Sequence, residues 1–192
     1  MHQLNGDRME RLILTSAGFE NINIRTLFVK MISINIKSLK ILFIPTAAIT
    51  EEQKKYIPKC RNDLESAGIK SENIRTYNLD SVITYNEIKE YGAIYVCGGD
   101  AQYLLEKMIK IGFDKLLLRF FENNGIYIGV SAGSIVMSEN LEGNLGYLRC
   151  KLKVHQNTGT KDGRFSNDDF EEISLTDNQA IILLDEIKEI VE

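Results

Sequence analysis

Gly125-Ile126-Tyr127-Ile128-Gly129-Val130-Ser131-Ala132-Gly133-Ser134 is the stretch whose reading decides the fold. Its first six residues are an apolar run opened by glycine, the pattern of a strand buried on both faces. The run passes without a spacer into small residues that can start a helix. Strands that turn directly into helices belong to the α/β class, in which a parallel sheet is covered on its faces. Gly129-Val130-Ser131-Ala132-Gly133 also fits G-x-S-x-G at the junction where that pattern presents a nucleophile. Flanking glycines relieve crowding around a turn residue held in a strained conformation. The Ser131 hydroxyl then projects from the sheet edge at the start of a helix, where backbone N–H groups can hold an oxyanion. Simple helix capping by Ser131 is the competing reading.

Working outward, Leu12–Thr15, Ile41–Ile44, Ile74–Leu79 and Ala93–Cys97 are further apolar runs, separated by amphipathic stretches. Pro45 ends the second of them, since proline cannot donate to a central ladder. One helix is expected from Thr50, a capping residue followed by Glu51 and Glu52, to Gly68. Another begins at Ala101 and carries Leu104, Leu105, Met108 and Ile109 on one face. Residues 156–169 are polar and turn-rich and read as a surface loop near the site. Ala180–Val191 is apolar with a break at Asp185-Glu186, the pattern of a closing hairpin. The expected architecture is a single three-layer α/β domain with a mostly parallel sheet flanked by helices. It is of the kind found in class I glutamine amidotransferases and flavodoxin, although the amidotransferase turn carries cysteine where Ser131 stands.

The 192 residues are 44% hydrophobic and 26% charged, which fits one packed domain. Residues 1–8, ahead of Met9, read as an N-terminal extension, and 9–192 as the domain. The formal net charge is −4 with the cations scattered, which argues against nucleic-acid binding. No apolar run approaches the roughly 18 residues of a membrane span. Cys60, Cys97 and Cys150 are widely spaced and form no zinc-type cluster, so they read as reduced thiols of a cytoplasmic protein. Metal and cofactor are both expected to be absent. The chain is expected to be either a monomer or a homodimer.

A serine hydroxyl needs a base, and a histidine, with an ordinary pKa of about 6.5, suits that task. The chain has two histidines, and His2 lies in the extension, which leaves His155, 24 residues after Ser131. The apolar-polar alternation through Leu152 and Val154 puts it at a strand end. An acceptor must fix its tautomer. Asp177 lies in a short polar turn, but composition does not choose it over Asp162, Asp168 or Asp169. The order Ser…His…Asp differs from the Ser…Asp…His of α/β-hydrolases. A second glycine turn, Cys97-Gly98-Gly99-Asp100, ends another strand and opens another helix, so two such turns at one sheet edge form a crevice. It lacks the patterns of a dinucleotide or nucleotide cradle.

Leu14–Phe19, Ile44-Pro45-Thr46-Ala47, Gly98-Gly99-Asp100 with Leu104-Leu105, Gly129–Gly133 and Asp177-Asn178-Gln179-Ala180 resemble, in order and spacing, the successive motifs of the peptidases of family S51. This resemblance runs from residue 11 to about 183. It implies a cytosolic serine peptidase without metal or cofactor, in a family whose best-known members cleave dipeptides with an amino-terminal aspartate. It implies Ser131 as nucleophile, His155 as base, Asp177 as the acidic third member, and the amides of Gly99 and Ala132 as oxyanion donors. Here Cys97 and Asp100 replace a glycine and an asparagine of the usual family turn, and an acid at 100 is expected to repel a substrate carboxylate. Lys161 and Arg164 are candidate partners for such a carboxylate. A non-peptide esterase or amidase, and a non-catalytic binding protein on the same scaffold, are the alternatives.

Overall fold

Strands form where the apolar runs lie, and the computed structural model describes residues 10–32 and 34–192. The predicted extension, 1–8, lies outside the described residues. β1 (Arg11–Thr15), β2 (Ile41–Ile44), β3 (Ile74–Thr76), β4 (Ala93–Val96) and β5 (Ile126–Val130) pair in parallel. β6 (Lys151–Lys153) and β8 (Glu172–Ser174) make a separate two-stranded parallel sheet. β7 (Gly163–Arg164), β9 (Ala180–Leu184) and β10 (Ile187–Val191) extend the main sheet with antiparallel pairs, in the order β3-β2-β4-β5-β1-β9-β10-β7. The predicted closing hairpin is β9–β10, turning at Asp185. β3 is shorter than the run Ile74–Leu79; beyond it the chain turns, with Leu79 at φ +53 and buried in the core.

Alternation along the strands builds two cores. Leu12, Leu14, Leu42, Ile44, Ile94 and Val96 face one side with α5 (Ala101–Lys110), α6 (Phe113–Glu122) and α7 (Ala132–Ile135). Ile13, Ile41, Phe43, Tyr95 and Ile128 face the other with α1 (Ile22–Met31) and α3 (Ile57–Ser66). A single turn, α4 (Tyr85–Ile88), precedes β4. On α5, Leu104, Leu105 and Met108 are buried as expected, whereas Ile109 is 48% exposed.

The expected helix over 50–68 is two helices, α2 (Glu51–Lys54) and α3. Thr50 caps α2 with a complete capping box. Pro58, with no N–H to give and a ring that blocks the carbonyl four residues back, then forces a restart and sits in the first turn of α3. β2 and β4 are neighbours, yet their following helices, α3 and α5, pack on opposite faces. A crevice opens at their carboxyl ends for that reason.

Candidate active site

The loops at the carboxyl edge converge in that crevice. A cavity of about 460 Å³ is lined by Ser16 after β1, Gln53, Tyr56, Lys59 and Asp63 after β2, Gly98 and Gly99 after β4, Ser131 after β5, and His155 and Asp177. Ser131 stands between β5 and α7 at φ +48 and ψ −105, a strained conformation held by a bond from its N–H to Thr15 O at 3.0 Å. His155 and Asp177 come together because β6 and β8 run parallel, with Lys153 opposite Ser174, so that both chains leave the small sheet at the same end. Bonds from Leu175 N to Lys153 O and from Gln156 N to Leu175 O carry that pairing past the strands. Gln179 donates to Thr160 O and to Asp162 Oδ1, which ties the 156–169 loop to the turn bearing Asp177.

Three side chains form a continuous chain. Ser131 Oγ lies 3.1 Å from His155 Nε2, and His155 Nδ1 lies 2.7 Å from Asp177 Oδ1. Of the carboxylates that composition left open, Asp162 accepts from Gln179 and Asp169 from Ser166 N, while Asp177 meets the imidazole. Burial opposes ionisation of Asp177 most strongly, but hydrogen bonds from Ser16 and His155, aided by the charges of His155 and Lys59, outweigh it and hold the carboxyl below its ordinary value.

The glycine turn closes the other side. Gly98 packs so tightly that an added Cβ would lie 3.2 Å from Ser131 Cβ. Gly99 has φ +143, and a Cβ there would lie 2.0 Å from Ala47 O. Neither the Gly99 N–H nor the Ala132 N–H takes part in the backbone hydrogen bonds that tie the described turns together. Asp100 is turned away from the cavity: its Oδ1 accepts from Tyr103 N at 2.8 Å and caps α5. It is not among the residues that line the cavity. Lys161 and Arg164 are not among the cavity residues, and the cation in its wall is Lys59, which pairs with Glu20. Burial pushes the Cys97 thiol well above its ordinary value, so this cavity residue is a poor thiolate.

Ser16 was not singled out as a site residue by sequence reasoning. It is completely buried, and its hydroxyl reaches both His155 and Asp177. A polar residue closing an otherwise apolar parallel strand, at the edge where open α/β sheets bind ligands, is the signal that marks it.

A parallel sheet that presents a strained serine to an imidazole, itself held by a carboxylate, has the make-up of a hydrolase. The model of peptidase family S51 matches residues 12–146, and the chain belongs to that family. The matched stretch includes Ser16, Gly98, Gly99 and Ser131 and stops short of His155 and Asp177. The uncharacterized peptidases Lmo0363 of Listeria monocytogenes and Lin0382 of Listeria innocua are 33% and 31% identical over 135 residues, 69% of this chain. The matches span 63% and 62% of those relatives, less than two thirds of their length. A protein of Listeria monocytogenes EGD-e, provisionally described as a peptidase E, has a crystal structure that superposes with a TM-score of 0.72 at 25% identity, over 95% of this chain and 97% of its own. A peptidase from an acI-B1 actinobacterium shares the fold, with a TM-score of 0.65 at 17% identity over 97% of this chain and 88% of its own.

Proposed function

We propose that the chain is a serine peptidase of small peptides in which Ser131 is the nucleophile, His155 the general base and Asp177 the residue that orients the base. The observation that carries this reading is the unbroken series from Ser131 Oγ to His155 Nε2, at 3.1 Å, and from His155 Nδ1 to Asp177 Oδ1, at 2.7 Å. With Asp177 ionised, Nδ1 carries the proton and Nε2 is free to accept one. His155 takes the Ser131 proton as Oγ attacks the scissile carbonyl carbon, and the carbonyl oxygen becomes an oxyanion facing the Gly99 and Ala132 N–H groups. His155 returns the proton to the departing amine as the C–N bond breaks and an ester to Ser131 remains. Water then attacks that ester, giving its proton to His155, and the acid product leaves as Oγ is reprotonated.

Dipeptides with an acidic amino-terminal residue are the preferred candidates. Lys59, which pairs with Glu20 in the cavity wall, is the cation that supports this choice. A fluorophosphonate probe read by intact mass tests the nucleophile: one label is expected on the wild type and none on Ser131→Ala or His155→Ala. Equal labelling of Ser131→Ala would refute the assignment. A panel comparing Asp-X with Ala-X and Lys-X dipeptides tests the preference, and faster cleavage of Ala-X or Lys-X would remove it.

A further inference from the structure

The segments bearing His155 and Asp177 are far from β1 in the chain, yet one side chain at the end of β1 touches both. Ser16 Oγ lies 2.7 Å from Asp177 Oδ1, 2.7 Å from the backbone N of His155 and 3.3 Å from His155 Nδ1. The chemistry of the neighbours fixes the direction of two of these bonds. An ionised carboxylate only accepts and a backbone N–H only donates, so the Ser16 hydroxyl gives its proton to Asp177 and accepts from His155 N. The preceding residue holds the nucleophile: Thr15 O accepts from Ser131 N at 3.0 Å and from Ser134 Oγ at 2.8 Å, while Thr15 Oγ1 donates to Gly129 O at 2.9 Å. Thr15, the last residue of β1, and Ser16, the residue that follows it, therefore fix the relative placement of Ser131, His155 and Asp177, which otherwise come from three separate segments.

We propose that Ser16 is a positioning residue of the hydrolytic site, a fourth group that aligns His155 and Asp177 through a single hydroxyl. This inference rests on the reading of Ser131, His155 and Asp177 as the catalytic series. Two features give the hydroxyl work that packing alone would not require. His155 has φ +57, a left-handed conformation for a side-chain-bearing residue, and its N–H is satisfied by Ser16. Asp177 Oδ1 receives both the Ser16 proton and the imidazole proton, so Ser16 divides the acceptor strength that the imidazole sees. Ser16 is itself clamped from behind. Asp63 Oδ2 accepts from Phe19 N at 3.0 Å and from Tyr95 Oη at 3.1 Å, which holds the loop following β1 against the sheet. The other charged groups on the cavity wall are Glu20, Lys59 and Asp63; Glu20 and Lys59 pair with one another.

The test is the rate constant for fluorophosphonate labelling of Ser131 across pH, in wild type, Ser16→Ala, Ser16→Thr, Asp177→Ala and the Ser16→Ala/Asp177→Ala double variant. Ser16→Ala should label about 10- to 100-fold more slowly, the loss expected for a hydrogen bond to a charged group. The acid limb of its profile should move to higher pH, because Asp177 then holds the imidazolium with undivided strength. Ser16→Thr, which keeps the hydroxyl, should keep the wild-type limb. In the Asp177→Ala background the Ser16→Ala change should cost a much smaller factor, since the group it acts through is gone. A full and additive loss in the double variant, an unmoved acid limb in Ser16→Ala, or a wild-type rate in Ser16→Ala would each overturn the role of Ser16 while leaving the series Ser131, His155 and Asp177 intact. Failure of the wild type to label would overturn both.

Discussion

The backbone N–H of Ser131 donates to the carbonyl of Thr15 at 3.0 Å, extending the parallel ladder of β5 and β1 one step past its last pair, Thr15 and Val130. The ladder pins the backbone of Ser131 from one side while α7 begins at the next residue, and the result is φ +48 with ψ −105. Strain of this kind costs about 1–3 kcal/mol and persists only where the surroundings over-determine it. Here two donors converge on Thr15 O, Ser131 N and Ser134 Oγ.

Glycine at this position should therefore release strain that alanine retains. Ser131→Gly and Ser131→Ala both lose the hydroxyl, so their difference isolates the backbone. Glycine also gains about 0.5–1 kcal/mol of freedom in the unfolded chain, which offsets part of the benefit. Chemical denaturation should find Ser131→Gly the more stable of the two by about 1 kcal/mol. Greater stability for Ser131→Ala would mean that the turn is relaxed.

Asp177→Asn should cost hydrolysis on the order of 10³- to 10⁴-fold, the scale for a triad whose histidine is left in the wrong tautomer. An amide can present N–H to Nδ1, which leaves Nε2 protonated and unable to accept from Ser131. Substrate affinity should change little, because Asp177 lies on the far side of His155 from Ser131. Steady-state kinetics separate the two parameters, and a loss confined to KM would remove Asp177 from the series.

Much of this arrangement was legible in the sequence where the determinants are local. The strand-to-helix turn at Ser131, the cap at Thr50 and the break at Asp185 are each written in neighbouring residues. The single helix expected over 50–68 divides because Pro58 interrupts the helix that the cap at Thr50 and the acids after it begin. Choosing Asp177 among four carboxylates needed the parallel pairing of β6 with β8, a contact between segments about twenty positions apart that periodicity cannot supply. Ser16 stayed hidden for the same reason, since its partners lie 139 and 161 positions away. Asp100 also caps α5, a role visible once the helix is seen to begin at Ala101.

The two glycines of the β4 turn should fail differently when replaced by alanine. At Gly99 the new Cβ meets Ala47 O at 2.0 Å and the backbone sits at φ +143, so the turn itself must move. Gly99→Ala should lower stability by about 2 kcal/mol or more and abolish activity. At Gly98 the contact is 3.2 Å to Ser131 Cβ, which a shift of a few tenths of an ångström relieves. Gly98→Ala should keep its melting temperature within a few degrees while slowing turnover, because the displaced atom carries the hydroxyl proposed as nucleophile. Equal loss of stability in both variants would contradict this division.

Asp100 offers a clean separation of capping from substrate electrostatics. Its carboxylate accepts from Tyr103 N, and asparagine caps nearly as well as aspartate. Asp100→Asn should leave both stability and dipeptide selectivity close to wild type, whereas Asp100→Ala should lose about 1 kcal/mol of stability with selectivity still unchanged. Improved cleavage of acidic dipeptides by Asp100→Asn would show that the charge at 100 reaches the substrate after all.

Asp63 should give the fold a measurable acid dependence. Burial raises its carboxyl above the ordinary value, against the opposing effect of donation from Phe19 N–H and Tyr95 OH and of the charges of Lys59 and Arg25. A carboxyl that binds its proton more tightly in the folded state takes up protons on folding between its ordinary value, 3.8, and the raised folded one. Relative to a residue that cannot titrate, the wild type therefore gains stability as pH falls through the folded value, and the gain is complete below the ordinary one. Above that window the ionised carboxylate weakens the fold by a constant amount. Asp63→Asn keeps an acceptor for Phe19 and Tyr95 but has no such proton to bind. The melting temperature of wild type minus that of Asp63→Asn should accordingly rise on acidification across the window and be flat above it. A difference that stayed level, or fell as pH dropped, would show that the Phe19 and Tyr95 bonds outweigh burial and hold Asp63 at or below the ordinary carboxylate value.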